Sequence, residues 1–125
     1  MKYIIEVDEI APSLNIVINK AKIHWAVYAS MKKAWKKLIN DKINPNWKPF
    51  LAPVTVTITL YFNDKRKRDI DNYCTAAKFA LDALTKKDNP DKFLIPDDNE
   101  NWITDVRIRL RKADKKYTKI EIEGE

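Results

Sequence analysis

The chain is poor in the residues that build several common kinds of functional site. Cys74 is the single cysteine, so the chain can form neither an internal disulfide bond nor a cysteine-based zinc site. His24 is the single histidine, which excludes metal motifs built on a histidine pair, and we interpret it as a surface or boundary residue beside Trp25. One glycine in 125 residues excludes the glycine-rich phosphate loops of nucleotide-binding folds.

The sequence also lacks a long hydrophobic run. No apolar stretch approaches the roughly 20 residues that span a bilayer, and the N-terminus lacks the apolar core of a signal peptide. We therefore expect a soluble, cytoplasmic protein with no membrane partner. With 125 residues, 45% of them hydrophobic, the chain has the length and composition of a globular domain, and we predict one domain over residues 1–125.

Positive charge is in excess. The 24 lysine and arginine residues outnumber the 18 aspartate and glutamate residues, which gives a net charge of +6 and a pI near 9.3. Such an excess favours a polyanionic partner such as nucleic acid, although many basic proteins bind none. Charge alone therefore leaves a DNA-binding role open without establishing it.

Strand and helix signals alternate along the chain. Residues 54–62 alternate aliphatic and phenylalanine side chains with threonine and tyrosine, which predicts the clearest strand. Apolar residues recur at helical spacing over residues 25–39, opposite a face of lysines, which predicts an amphipathic helix. Further strands are predicted at residues 2–7, 103–110 and 118–123, a second helix at residues 71–86, and loops at residues 44–53 and 87–96. The order β-α-β-α-β-β predicts an α/β fold of the α+β mixed kind, with a single mixed β-sheet packed against helices.

Two aspartates lie in the connection between the strand at residues 54–62 and the second helix. Asp69 and Asp71 are two positions apart, so in extended backbone their side chains point the same way. Hard cations such as Mg²⁺ take oxygen ligands, usually one or two carboxylates with water and phosphate. Directly upstream are four basic residues that would hold a DNA backbone against the metal: Lys65, Arg66, Lys67 and Arg68. A simpler interpretation is that one aspartate only caps the helix, as in most such sequences.

A second acidic cluster, Asp97 and Asp98, precedes the predicted strand at residues 103–110. Its sequence, Pro-Asp-Asp-Asn, is also ordinary turn chemistry, so neither cluster is decisive alone. The two clusters can share a metal ion only if the fold brings them together. We therefore predict that the start of the second helix meets the turn before Ile103.

The second helix carries one candidate for contact with a phosphate. At 100° per residue, one narrow stripe of the helix holds Asp71, Thr75, Lys78 and Asp82. Lys78 can contact the phosphate that is attacked, or it can form an ordinary i,i+4 ion pair with Asp82. The residue pattern leaves both roles open.

Taken in order, these motifs resemble the RusA family of Holliday junction resolvases. The matching segments are Pro12-Ser13-Leu14-Asn15, Arg68-Asp69-Ile70-Asp71-Asn72, Lys78-Phe79-Ala80-Leu81-Asp82-Ala83-Leu84 and Asp97-Asp98. No single segment is specific to the family. The ordered set of segments, over about residues 12–109, is specific to it. The resemblance implies a homodimeric nuclease that makes paired nicks across four-way DNA junctions with Mg²⁺ or Mn²⁺.

The resemblance also assigns the catalytic and metal-binding carboxylates by position: Asp69, Asp71 and Asp98. The family's lysine typically follows the second aspartate by four residues, where this chain has Thr75. Counting back from the Leu-Asp-Ala-Leu run instead selects Lys78, one turn later, as the catalytic lysine. A second departure from the family is the loop at residues 87–96, which is longer and more polar than usual.

Three other functions remain open from the sequence. A DNA-binding domain without catalysis would bind junctions in the absence of Mg²⁺ and never cleave them. A metal-dependent nuclease of the same chemistry would act on flaps, forks or RNA instead. A basic structural or protein-interaction module would show no salt-dependent affinity for DNA. The resemblance favours a Mg²⁺-dependent, structure-specific endodeoxyribonuclease that acts on branched DNA in recombination and repair.

Overall fold

The computed structural model describes residues 1–16, 18 and 25–124. Its elements are β1 (Lys2–Val7), α1 (Trp25–Asn40), β2 (Val54–Phe62), a 3₁₀ turn (Ile70–Tyr73), α2 (Thr75–Leu84), β3 (Ile103–Lys112) and β4 (Tyr117–Gly124). Residues 14–16 are helical as well. His24 lies outside the described residues, so its interpretation as a surface or boundary residue stays a prediction. None of the helices in these ranges is long and apolar enough to cross a membrane.

The four strands form one mixed sheet in the order β1-β4-β2-β3. The strand β4 pairs antiparallel with β1 on one side and with β2 on the other, whereas β2 and β3 are parallel. A parallel pair needs a crossover connection, and the chain from the end of β2 through α2 to the start of β3 provides it. The prediction of one mixed sheet packed against helices, an α+β fold, is confirmed.

Alternation along the strands gives the sheet a covered face and an open face. On the covered face, the side chains of Val56, Ile58 and Leu60 in β2 are fully buried. The helices that cover them contribute Trp35 and Ile39 from α1, four residues apart and so on one side of the helix. From α2 the buried residues include Phe79, Ala80, Ala83 and Leu84. Burial of each large apolar side chain stabilises the fold by roughly 1.5–3 kcal/mol.

The covered face is incomplete at β3, which forms one edge of the sheet. Its apolar residues Val106, Ile108 and Leu110 continue the buried rows of β2, because Val106 pairs with Val56 and the register continues from there. However, Val106 is 41% exposed, whereas Val56 is 0% exposed. The helices therefore cover the centre of the sheet and leave an apolar strip open along β3.

The second helix begins later than predicted. A 3₁₀ turn occupies Ile70–Tyr73, and the N–H of Asn72 donates to the carbonyl oxygen of Asp69 at 3.1 Å. The α-helix starts only at Thr75, so Asp71 belongs to the turn and not to the helix. The prediction of a helix from residue 71 is wrong because the hydrophobic period does not distinguish a 3₁₀ turn from the first turn of an α-helix.

The second helix also ends earlier than predicted. Thr85 adopts extended backbone (φ −99°, ψ 150°) and forms a parallel bridge with Ile95. Next to this bridge, the N–H of Phe50 donates to the carbonyl oxygen of Leu94 at 2.8 Å. Leu94 and Ile95 are buried, so the end of the segment predicted as a polar loop is part of the core.

Candidate functional site

Asp69 and Asp71 lie beyond the C-terminal end of β2, at the 3₁₀ turn that precedes α2. Asp69 has extended backbone (φ −82°, ψ 125°), and its carboxylate makes no capping hydrogen bond. Both side chains are exposed, and neither carboxylate has a hydrogen-bond or ion-pair partner within residues 1–16, 18 and 25–124. A capping role therefore does not account for these carboxylates, and both are free to bind a ligand.

A cavity of about 210 Å³ joins the two carboxylates to two amide side chains. It is lined by Leu14, Asn15, Asp69, Asp71 and Asn72. The main-chain N–H of Asn15 donates to Asn72 Oδ1 at 3.1 Å, and Thr75 Oγ1 donates to the carbonyl oxygen of Pro12 at 2.6 Å. These two hydrogen bonds hold the segment around Pro12 and Asn15 against the start of α2, where it forms one wall of the cavity.

The donors at this cavity fit a hard divalent cation. The carboxylates of Asp69 and Asp71 are oxygen donors, and the amide oxygens of Asn15 and Asn72 line the same space. Mg²⁺ is usually held by one or two carboxylates and keeps several water ligands. An open, solvent-exposed cavity with two unpaired carboxylates meets both requirements.

Asp98 lies at the opposite end of the parallel strand pair from Asp69. In the register of β2 and β3, Val54 stands beside Ile103, and Phe62 is the last residue of β2. Asp98 belongs to the turn that leads into Ile103, whereas Asp69 lines a cleft together with Phe62. At about 3.3 Å per residue, the two ends of β2 are roughly 26 Å apart.

One chain therefore assembles only part of the predicted carboxylate set. In the described ranges, no group of three or more histidine, cysteine, aspartate or glutamate side chains is placed to hold a metal ion. The turn before Ile103 does not meet the start of α2, because β2 and β3 run in the same direction and begin at the same end of the sheet. The predicted meeting of the two acidic clusters within one chain is wrong for this reason.

The two aspartates of the second cluster differ in their contacts. Asp97 Oδ1 accepts the N–H of Asp98 at 2.7 Å, and Asp97 Oδ2 accepts Nδ2 of Asn99 at 3.1 Å. Asp97 thus stabilises the turn. The carboxylate of Asp98 has no such contact in the described part of the chain, so it has no evident role in stabilising the turn.

A basic cleft of about 650 Å³ opens beside Asp69 at the same end of the sheet. Its walls are Phe62, Lys65, Arg66, Lys67, Arg68, Asp69, Leu110, Arg111 and Lys112. All four predicted DNA-binding residues line this basic cleft. Arg111 and Lys112 join them although neither was predicted as a site residue, because only the parallel pairing of β2 and β3 brings the ends of both strands together.

Arg68 is held more firmly than the other three cations of its loop. Its Nη1 and Nη2 donate to Asp64 Oδ1 and Oδ2, both at 2.7 Å, and its guanidinium lies 3.8 Å from the centre of the Phe62 ring. This bidentate contact holds the pKa of the Asp64 carboxyl well below its usual range. Only 10% of the Arg68 side chain is exposed, so Arg68 fixes the loop directly before Asp69.

Lys78 forms an ion pair on α2. Its Nζ lies 3.1 Å from Asp82 Oδ1, and Nζ of Lys32 on α1 lies 3.0 Å from Asp82 Oδ2. The hydrogen bond with Asp82 raises the pKa of the Lys32 ammonium. The Asp82 side chain is only 11% exposed and Thr75 is buried, whereas Asp71 and Lys78 are exposed, so only half of the stripe that helical spacing identified is accessible.

A family model covers nearly the whole chain. The model described as Endodeoxyribonuclease RusA matches residues 12–123. The matched residues include both walls of the small cavity, the basic cleft and Asp98. No curated protein shows a significant match to the chain. The chain belongs to the RusA family of endodeoxyribonucleases.

Proposed function

We propose that the protein is a Mg²⁺-dependent endodeoxyribonuclease that resolves four-way DNA junctions by paired nicks in recombination and repair. The observation that carries this proposal is the pair of unpaired carboxylates, Asp69 and Asp71, beside a cleft with six basic side chains. Without a cation, carboxylates at this position would repel the phosphates that the basic cleft attracts. The arrangement therefore favours a metal-dependent nuclease over a DNA-binding domain without catalysis.

The side chains around the cavity would have different roles in phosphodiester hydrolysis. Asp69 and Asp71 would hold Mg²⁺, which supplies Lewis-acid stabilisation of the charge that develops on the attacked phosphate. Exposed cations of the basic cleft, among them Lys65 and Lys67, would bind the flanking phosphates and set the position of the DNA strand. Arg68, bound to Asp64, would keep the loop rigid so that Asp69 stays in place.

Cleavage of a labelled, mobile four-way junction tests this function. We expect symmetric nicks with a 5′-phosphate and a 3′-hydroxyl in Mg²⁺ or Mn²⁺, and binding without cleavage when the metal is chelated. A linear duplex of the same sequence is the control and should remain intact. Junction binding without cleavage under every metal condition would identify a DNA-binding domain instead. Faster cleavage of flaps, forks or RNA would keep the chemistry and change the substrate.

A second copy of the chain would complete the carboxylate set. An edge strand that pairs with its own copy about a two-fold axis does so antiparallel, and β3 is such an edge strand. Antiparallel pairing sets the start of β3 in one copy beside the end of β3 in the other. Asp98 of the partner subunit would then lie near Asp69 and Asp71, which explains how a homodimer can use three carboxylates that one chain keeps apart.

The side chains of β3 favour this pairing. Acidic residues stand before and at the start of the strand, and basic residues stand at its end: Asp97, Asp98, Glu100 and Asp105 against Arg111 and Lys112. Antiparallel pairing places each acidic end against a basic end, which is favourable for cross-strand neighbours. It also brings the partly exposed Val106 and Ile108 of one copy beside the same strip of the other, which removes apolar surface from water.

Lys78 is the proposed phosphate contact on α2. Its side chain is 58% exposed, and Asp82 keeps Lys32 as a partner when Lys78 turns toward DNA. Lys78→Ala should therefore slow single-turnover cleavage at least about tenfold, or 1.4 kcal/mol. The melting temperature should change little, because Asp82 keeps its ion pair with Lys32 and an i,i+4 pair contributes only a few tenths of a kcal/mol. Lys33→Ala on α1, an exposed lysine without an ion pair in the described ranges, is the control. An unchanged rate in Lys78→Ala would leave Lys78 as an ion-pair partner only.

A further inference from the structure

Three arginines of β3 form a row on the open face of the sheet: Arg107, Arg109 and Arg111, called here the arginine ladder. All three are exposed, and each lies two residues from the next, which separates neighbouring positions by roughly 6.6 Å. Arg111 also lines the basic cleft beside Asp69. The arginine ladder therefore continues the basic cleft along the edge strand, away from the candidate metal site.

The acidic residues of the same face, which include Asp105 on β3 and Glu121 on β4, form no ion pair with the arginine ladder in the described part of the chain. The nearest acidic residue of β4 is Glu121, which is 2.8 Å from Lys2 and 3.8 Å from Lys119. Lys2 and Lys119, and last among the causes Arg109, lower the pKa of the Glu121 carboxyl, whose ion pairs are with the two lysines. No ion pair is formed by Arg107 or Arg109 within the described residues. Arg107 and Arg109 are therefore cations of the ladder that are available to a polyanion.

A second basic surface, the lysine groove, lies between α1 and α2 on the opposite side of the molecule. Its lining residues are Tyr28, Ala29, Lys32, Lys33, Lys36, Asp82 and Asp88. Unlike the ladder, this surface uses most of its cations internally: Lys32 pairs with Asp82, and Lys36 donates to the carbonyl oxygen of Asp88. A phosphate would have to displace these partners, so little net attraction remains in the lysine groove.

We propose that a duplex arm of the substrate lies along the arginine ladder, and that the lysine groove does not contact DNA. The inference rests on the proposed function, because it requires a DNA substrate. Guanidinium groups bind phosphate through paired N–H donors and are weakly hydrated, so a free arginine is a better phosphate contact than an engaged lysine. The DNA enters the basic cleft at Arg111, continues past Arg109 to Arg107, and leaves across the open face of the sheet.

Two matched double variants test the path of the DNA. Arg107→Gln/Arg109→Gln removes two charges from the ladder, and Lys33→Gln/Lys36→Gln removes two from the lysine groove on α1. Each lowers the net charge from +6 to +4, so a general electrostatic effect is the same in both. Junction affinity is measured over a series of salt concentrations with the metal chelated, and thermal melting confirms that both variants are folded.

The ladder variant should reduce the slope of log K against log salt by about 1.8, since each lost phosphate contact removes about 0.9. The α1 variant should keep the parent slope. Equal reductions in both variants, or no reduction in the ladder variant, would overturn the proposed path. In either case, salt-dependent binding and Mg²⁺-dependent cleavage by the parent protein would leave the proposed function intact. A parent that neither binds nor cleaves junctions would refute the function itself.

Discussion

Mixing the Asp71→Asn and Asp98→Asn proteins should restore junction nicking that neither protein shows alone. If each site combines Asp69 and Asp71 of one subunit with Asp98 of the other, a mixed dimer has one site with both substitutions. Its other site has all three carboxylates. About a quarter of the sites in an equal, randomly assorted mixture would then be intact. Each mixed dimer can cut only one strand, so the product should be a nicked junction and not a resolved one.

The matched control for this mixture is Asp71→Asn combined with Asp69→Asn. Both substitutions affect the same side of the shared site, so every dimer has two damaged sites and no activity should return. Subunits are exchanged by co-refolding or co-expression, and products are resolved on a denaturing gel. Failure of the Asp71→Asn and Asp98→Asn mixture to nick, with mixed dimers demonstrated, would show that Asp98 is not shared between subunits.

Asp71→Asn alone should abolish cleavage while junction affinity persists or rises. The substitution removes a charge that binds the metal and keeps the size of the side chain, so the rate should fall by orders of magnitude. The affinity for the junction should persist or rise because the negative charge of Asp71 no longer repels the phosphates. The melting temperature should not fall, since the Asp71 carboxylate has no partner to lose in the described part of the chain.

Single-turnover cleavage and gel-shift binding separate these two effects of Asp71→Asn. Asp91→Asn, in the exposed segment after α2, removes the same charge away from the cavity and serves as the control. It should match the parent rate. Cleavage by Asp71→Asn at the parent rate would remove that residue from the metal site and leave the carboxylate role to other residues.

The strands were predictable because their side chains alternate, but their directions were not. Alternation at residues 54–62 and 103–110 indicates which face is buried and carries no information on whether two strands run parallel. The parallel pairing of β2 and β3 decides most of the site: it brings Arg111 and Lys112 to the basic loop and takes Asp98 to the far end. The sequence could therefore suggest candidate residues such as Asp69 and Asp71, but it could not show that Arg111 and Lys112 lie beside them or that Asp98 lies far away.

The second helix shows a similar limit. Helical spacing placed Asp82 on the same stripe as Lys78, which is confirmed by their ion pair. The spacing of apolar residues in one helix gives no information about the neighbouring helix. It therefore could not show that α1 covers Asp82 and supplies Lys32. It also could not show that the backbone from Ile70–Tyr73 tightens into a 3₁₀ turn, which exposes Asp71 at the entrance of the cavity.

The length of β3 has a consequence for where the DNA is cut. In a dimer joined through β3, the two sites lie at opposite ends of the paired strands, and ten residues of strand span roughly 33 Å. Hydrogen-bonded strands do not stretch, so in such a dimer the spacing between two cuts would be set by backbone geometry and not by a hinge. One turn of duplex DNA is about 34 Å long. The sheet would act as a fixed spacer of nearly one turn, and the junction, as the more deformable partner, would adjust its arms to reach both sites.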